Sequence, residues 1–99
     1  MSDNSSATPI FVLRGRLDAD TVAEVEAELL RVVAETATHL VIDATALDYI
    51  SSAGLRAVLM AIKRMRAKGG GLSITGMRGG VREVMDLTGI TTLLSPPPA

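Results

Sequence analysis

Short strand-like runs alternate with helix-like runs along this 99-residue chain, and this alternation constrains the fold more than any other feature. The strand-like runs are aliphatic and β-branched: Ile10–Leu13, His39–Asp43 and Leu72–Thr75, with Leu93–Leu94 as the stub of a fourth. Strands that alternate with helices in so short a chain predict right-handed crossovers onto one sheet. We therefore predict an α/β domain with a small sheet of three or four strands, mixed or parallel, and helices packed on it.

Apolar residues at helical spacing predict three helices. The first begins after Asp20, where Thr21 and Glu24 match the Thr-x-x-Glu pattern of a capping box. The predicted bounds of the second helix are about Ser52 and the glycine run that starts at Gly69, and those of the third are about Gly80 and Gly89.

Composition argues against several classes of function. Lys and Arg total 10 and Asp and Glu total 11, so the chain lacks the strong basic charge of a protein that coats nucleic acid. The only aromatic residues are Phe11 and Tyr49, too few for a surface that stacks single-stranded bases. With no Cys and one His, we predict no metal. We also predict no cofactor, since Gly69–Gly71 follows a helix whereas a phosphate-binding loop precedes one.

The two ends of the chain differ in composition from the part between them. Residues 1–8 are small and polar and predict a disordered tail, and the Pro-rich residues 95–99 predict an extended one. The folded domain is then expected at residues 9–94. The start lacks a signal-peptide pattern and no apolar run reaches the length of a membrane span, so we predict a cytoplasmic protein without membrane insertion.

The most informative segment is Ser51-Ser52-Ala53-Gly54, between the second strand and an amphipathic helix. Ser51 or Ser52 is suited to cap that helix. A cap requires one small polar residue, whereas four small residues in a row leave an open surface that displays a serine hydroxyl. The run therefore predicts a place where another molecule makes contact.

Two acidic residues and the single histidine offer weaker candidates. Asp43 and Asp48 are expected to flank a short loop after the second strand, where α/β proteins often place ligands. An enzyme or a phospho-accepting receiver using Asp43 is one interpretation; an Asp that ends the strand and accepts hydrogen bonds from loop amides is the simpler one. His39 has no evident triad partner and is predicted to be exposed at a strand start.

Taken in order, the motifs resemble the STAS domain, whose single-domain form is the family of anti-sigma factor antagonists. The resemblance spans about residues 10–94. The matching segments are Arg14–Asp18 with Thr21 for the Gly-x-Leu-Asp turn, Val41–Asp43 for the central strand, Tyr49–Leu55 for the phosphorylation loop, and Gly89–Ile90 for a late Gly-hydrophobic step.

The resemblance implies a regulatory binding protein, not an enzyme. Ser52, two residues before the glycine, is similar in position to the phosphorylated serine of the family. The implied partner is a kinase-like anti-sigma factor, which the unphosphorylated antagonist binds so that the sigma factor is freed. Phosphorylation ends the binding, and a phosphatase reverses it. This chain departs from the family in carrying Ser51 where many members carry Asp, and in lacking an evident strand before Ile10.

The predicted partner-binding residues follow from this resemblance and from a line on the second helix formed at i, i+4, i+8 and i+11. They are Asp18, Ser51, Ser52, Ala53, Gly54, Arg56, Met60 and Lys63. The main alternative within the same fold is a STAS subunit docked on the ATPase of an ABC-type lipid-transport complex. Because no strand precedes Ile10–Leu13, that sheet edge is exposed, and a homodimer is the arrangement we expect to cover it.

Overall fold

The computed structural model describes residues 8–97. Its strands are β1 (Ile10–Leu17), β2 (His39–Ile50) and β3 (Gly71–Thr75), and its helices are α1 (Val22–Glu35), α2 (Ser52–Ala67) and α3 (Gly79–Leu87), followed by a 3₁₀ helix at Ile90–Leu93. The strand order is β1-β2-β3, with both pairs parallel. The α/β prediction is therefore confirmed. The tail predicted at residues 1–8 lies outside the described residues except for Thr8, as do residues 98 and 99 of the other tail.

β1 and β2 are longer than the sequence predicts. The pairing continues from Ile10 and Val41 through Leu17 and Ile50, with shifts in register before Arg14 and before Arg16. These irregularities, together with polar residues on the exposed face of β2, interrupt the apolar pattern by which a strand is recognised. The longer strands bring the sequence after each of them to the same end of the sheet.

Two local predictions are wrong. The capping box does not form, because the Thr21 hydroxyl donates to the carbonyl of Arg16 (2.8 Å) and accepts from the backbone N–H of Asp18 (3.0 Å), leaving no side-chain cap on α1. The stub of a fourth strand is instead part of the 3₁₀ helix, which follows Gly89 in a left-handed conformation (φ +80°). The short helix folds this segment back so that Ser95 N–H donates to the Leu72 carbonyl at 2.8 Å.

One continuous core lies between the sheet and the helices. The buried residues of β1 and β2 recur every two to four positions, so one face of these irregular strands packs on the helices while the other is less buried. The largest side chains that are almost fully buried are Leu29, Leu40, Ile42, Leu47, Ile62, Met65, Leu72 and Met85. Burial of each such side chain is worth about 1.5–3 kcal/mol, and the core supports the end of the sheet from which α2 begins.

Candidate functional site

The candidate site lies where β1 and β2 end side by side. Leu17 pairs with Ile50, and the backbone N–H of Ser51 donates to the Leu17 carbonyl at 2.8 Å. The chain leaves β1 through Asp18 and leaves β2 directly into α2. The turn after β1 and the serine pair at the start of α2 are therefore neighbours, although Asp18 and Ser51 are 33 positions apart in the sequence.

The two serines of the predicted phosphorylation loop have different environments. Ser51 is the N-cap of α2: its backbone is extended (φ −89°, ψ 174°) and its hydroxyl oxygen accepts from Gly54 N–H at 3.2 Å. Ser52 is the first residue of the helix, and its side chain is exposed. Within residues 8–97 the Ser52 hydroxyl makes no hydrogen bond, so it is available to another molecule.

Gly54 does not belong to the accessible surface, contrary to the open surface predicted for the four small residues, and its part in partner binding stays a prediction. The residue is buried, and a Cβ atom placed on it would lie 2.8 Å from Ile50 Cγ1 and 2.9 Å from Leu17 Cγ. Its missing side chain allows the first turn of α2 to approach the ends of β1 and β2. Ala53, beside it, is half-buried.

Asp18 shapes the turn between β1 and α1. Its Oδ1 accepts hydrogen bonds from the backbone N–H groups of Asp20 (3.0 Å) and Thr21 (3.2 Å), while Oδ2 lies 3.5 Å from Arg16 Nε. Desolvation alone would raise the pKa of Asp18, but these hydrogen bonds outweigh it and hold the pKa below its usual range. The carboxylate is thus ionised at neutral pH and fixed beside the serine pair.

An aromatic residue and a cation next to the site are not among the predicted site residues. The guanidinium of Arg16 lies 4.2 Å from the ring centroid of Tyr49, in a cation–π contact between paired residues of β1 and β2. The Tyr49 side chain is 41% exposed. The register that pairs these residues depends on the extension of both strands, which the sequence does not reveal.

The predicted line along α2 faces outward. The side chains of Ser52, Arg56, Met60 and Lys63 are all exposed. On the opposite side of the helix, Val58, Ile62 and Met65 are completely buried. Met60 is therefore an exposed apolar side chain between two cations; its contact with a partner remains a prediction.

Asp43 and Asp48 lie within β2 and do not flank a loop, so the placement predicted for them is wrong. Asp43 Oδ1 accepts from Thr45 N–H at 2.9 Å, and hydrogen bonds from the side chain and backbone of Thr45 lower the pKa of Asp43. Asp48 pairs with Arg78 at 3.3 Å and lines a cavity of about 250 Å³ that Asp43 does not reach. The structure therefore does not assemble these two carboxylates into one site.

His39 is half-buried, contrary to the prediction that it is exposed. Its Nε2 lies 3.1 Å from the hydroxyl oxygen of Ser73, which is itself buried in β3.

Among the described residues, no three or more His, Cys, Asp or Glu side chains are grouped as they would be to hold a metal ion. No helix in this part of the chain has the length and apolarity needed to span a membrane.

Comparison with known proteins identifies the family. The family model described as "Mlab, STAS domain" matches residues 1–95. A protein of Bordetella bronchiseptica (strain RB50), named as the anti-sigma factor antagonist BtrV, is 37% identical over 84 residues, which are 85% of this chain and 72% of that protein. The chain belongs to the STAS-domain family.

Solved structures give the same fold. The unphosphorylated form of the anti-sigma factor antagonist SpoIIAA superposes with a TM-score of 0.65 at 20% identity, over 79% of this chain and 72% of that one. The phosphorylated form of the Bacillus cell fate determinant SpoIIAA superposes with a TM-score of 0.66 at 20% identity, over 87% and 78%. The small parallel sheet with its three helices is therefore the fold of SpoIIAA.

Proposed function

We propose that this protein is an anti-sigma factor antagonist: a regulatory binding protein, without catalysis of its own, whose partner is a kinase-like anti-sigma factor. The name of the Bordetella relative and the fold of SpoIIAA support this class. The observation that carries the proposal is a difference between the two serines. Ser51 caps α2, whereas the hydroxyl of Ser52 is exposed and makes no hydrogen bond within residues 8–97.

Ser52 is the residue we propose to be phosphorylated. The kinase-like partner transfers the γ-phosphoryl group of ATP to Ser52 Oγ, the hydroxyl loses its proton, and ADP leaves. At the first residue of a helix the free backbone N–H groups and the helix dipole favour an anion. Arg56 follows one turn later, on the same face of α2. The domain can therefore accept the phosphate without refolding.

Phosphorylation acts on the interface. Asp18, Ser51, Ser52, Ala53, Arg56, Met60 and Lys63 form the contact region we propose, with Gly54 beneath it. A phosphate adds a charge of about −1.5 to −2 at neutral pH, and burying it without a new cationic partner costs several kcal/mol. Since each 1.4 kcal/mol changes affinity about tenfold, phosphorylation releases the anti-sigma factor.

The cycle controls transcription without direct contact with nucleic acid. The unphosphorylated antagonist occupies the anti-sigma factor, so the sigma factor is free to act in the cytoplasm. After phosphorylation the anti-sigma factor is released and recaptures the sigma factor. A phosphatase that removes the phosphate from Ser52 restores binding.

The test is to mix the purified protein with ATP and each kinase-like anti-sigma factor of the same genome, and to map the phosphate by mass spectrometry. We expect phosphate on Ser52, none in Ser52→Ala, and normal modification of Ser51→Asn, which removes the Ser51 hydroxyl while retaining a capping side chain. Phosphate on Ser51 would contradict the assignment. Stable binding only to a transport ATPase would favour the lipid-transport alternative.

A further inference from the structure

The cations of this domain fall into two groups. Most of those outside α2 are engaged within the chain: Arg16 with Asp18, Arg31 with Glu28 and Glu35, Arg78 with Asp48, and Arg82 with Asp86. Lys68, just after α2, donates to the carbonyls of Val33 and Thr36. Each of these cations therefore has a polar partner within the chain.

The cations within α2 are different. Arg56, Lys63, Arg64 and Arg66 are all exposed, and among residues 8–97 none of the four is in a salt bridge. The helix carries no Asp or Glu to offset them. A chain with a net charge of −1 thus concentrates four cations without an ion pair on one helix, two of them, Arg64 and Arg66, in its last turn. We call these four residues, together with Met60, the cationic α2 surface.

We propose that the cationic α2 surface docks against an acidic protein surface, and that this acidic surface belongs to the anti-sigma factor. The inference rests on the proposed function for the identity of the partner. Its charge requirement comes from α2 itself: four like charges without ion pairs repel one another, and an acidic partner supplies countercharges. Met60, exposed between Arg56 and Lys63, provides an apolar contact that a purely ionic surface lacks.

Other anionic partners fit these residues less well. A nucleic acid would be bound through a wider basic surface, yet acidic residues (11) outnumber basic ones (10) over the whole chain. A membrane-surface helix inserts its apolar face into the lipid, whereas the apolar face of α2 is buried in the core. A folded protein with a localised acidic surface matches a patch that is one helix long.

Ser52 is at the N-terminal end of this surface, which gives phosphorylation a second effect. A phosphate of about −1.5 to −2 charges would offset up to half of the four positive charges. Electrostatic steering toward an acidic partner then weakens, and this loss adds to the desolvation cost at the interface. The association rate should therefore fall on phosphorylation, in addition to any rise in the dissociation rate.

The test compares two charge-matched double variants in stopped-flow binding to the anti-sigma factor. Arg56→Glu with Lys63→Glu alters the cationic α2 surface; Arg14→Glu with Arg82→Glu makes the same change of charge at exposed cations elsewhere. At low salt we expect the first pair to lower the association rate constant about tenfold or more and the second less than about twofold. At about 300 mM salt the difference should shrink. Equal effects of the two pairs would overturn the inference.

A second arm separates this inference from the proposed function, in case no anti-sigma factor binds. Poly-L-glutamate, a DNA duplex and phosphatidylserine vesicles are each titrated against the labelled protein, and backbone amides are followed by NMR. Poly-L-glutamate should change the chemical shifts of amides in α2 only, and these changes should be absent from the double variant with Arg56→Glu and Lys63→Glu. That result supports an acidic protein partner. Stronger responses to DNA or vesicles overturn it, as does concentration-dependent self-association that this double variant abolishes.

Discussion

α1 and α2 pack on one core and against each other, yet their outer faces differ. On α1, Arg31 lies between Glu28 and Glu35, and Lys68 satisfies carbonyls at the end of the helix. On α2 the cations form no ion pairs within residues 8–97, and the first residue of the helix exposes a free hydroxyl. The comparison indicates that the one cation of α1 is paired within the chain, whereas the cations of α2 are left for another molecule.

The inner side of α2 should be the most sensitive to change. Gly54→Ala places a Cβ atom 2.8 Å from Ile50 Cγ1, so the helix must shift away from β1 and β2. We expect a loss of about 1–3 kcal/mol in the free energy of unfolding, measured by denaturant titration. The control is Gly80→Ala in α3, where nothing lies within 4 Å and a helical alanine should stabilise by about 0.5–1 kcal/mol. If Gly54→Ala left the free energy of unfolding unchanged, α2 would not pack tightly against β1 and β2 at this position.

The outer side of α2 should affect binding and leave stability unchanged. Met60→Asp is expected to weaken the affinity for the anti-sigma factor about tenfold or more, because it replaces an apolar contact with a charge like that of the partner. Leu87 of α3, 80% exposed, provides the matched control: Leu87→Asp should bind normally. Binding is measured by calorimetry and folding by thermal unfolding. A large fall in the melting temperature of Met60→Asp would instead place Met60 in the core.

The link between the two helices should have a smaller effect. Lys68 Nζ donates to the Val33 carbonyl at 2.6 Å and the Thr36 carbonyl at 3.0 Å. Lys68→Met keeps the apolar stem and removes both hydrogen bonds, so we expect a loss of about 1 kcal/mol in unfolding free energy. Lys63→Met, on the solvent face of α2, should stay within about 0.5 kcal/mol of the parent. Equal losses in the two variants would remove the structural distinction between these lysines.

The turn that starts α1 should respond to pH. Because hydrogen bonds hold the pKa of Asp18 below its ordinary value, ionised Asp18 stabilises the fold above the unfolded pKa. That contribution is lost as the pH falls through the lower, folded pKa. Asp18→Asn should therefore flatten the acid side of a stability-against-pH curve, measured by denaturant titration at a series of pH values. An unaltered slope in Asp18→Asn would contradict the role assigned to the carboxylate.

The sequence predicts the parts of this molecule that follow from local pattern. The start of α2 at Ser52 and the outward line through Met60 follow from apolar residues at helical spacing, which the structure preserves. The length of β2 does not, because Asp43 and Asp48 lie on the solvent-exposed side of a strand whose pattern they interrupt. Thr21 was predicted to cap α1, but its hydroxyl is occupied by Arg16 and Asp18.

At the site, composition alone could not distinguish the two serines. Both carry the same hydroxyl, and only the extended backbone of Ser51 and its hydrogen bond with Gly54 identify it as the cap. Likewise, a glycine in a run of small residues suggests an open surface, whereas Gly54 is buried because two strand ends meet beneath it. Local backbone conformation decided the first point, and the approach of Gly54 to Leu17, distant in sequence, decided the second.

The most direct measurement is the affinity of the anti-sigma factor for the same protein with and without phosphate on Ser52, determined by calorimetry. We predict a loss of about 100-fold or more on phosphorylation, equivalent to about 2.7 kcal/mol, with an unchanged fold by circular dichroism. Ser52→Asp should reproduce part of the loss, and Ser52→Ala should bind like the unphosphorylated parent. Equal affinities of the phosphorylated and unphosphorylated forms would contradict the assignment of Ser52 as the switch.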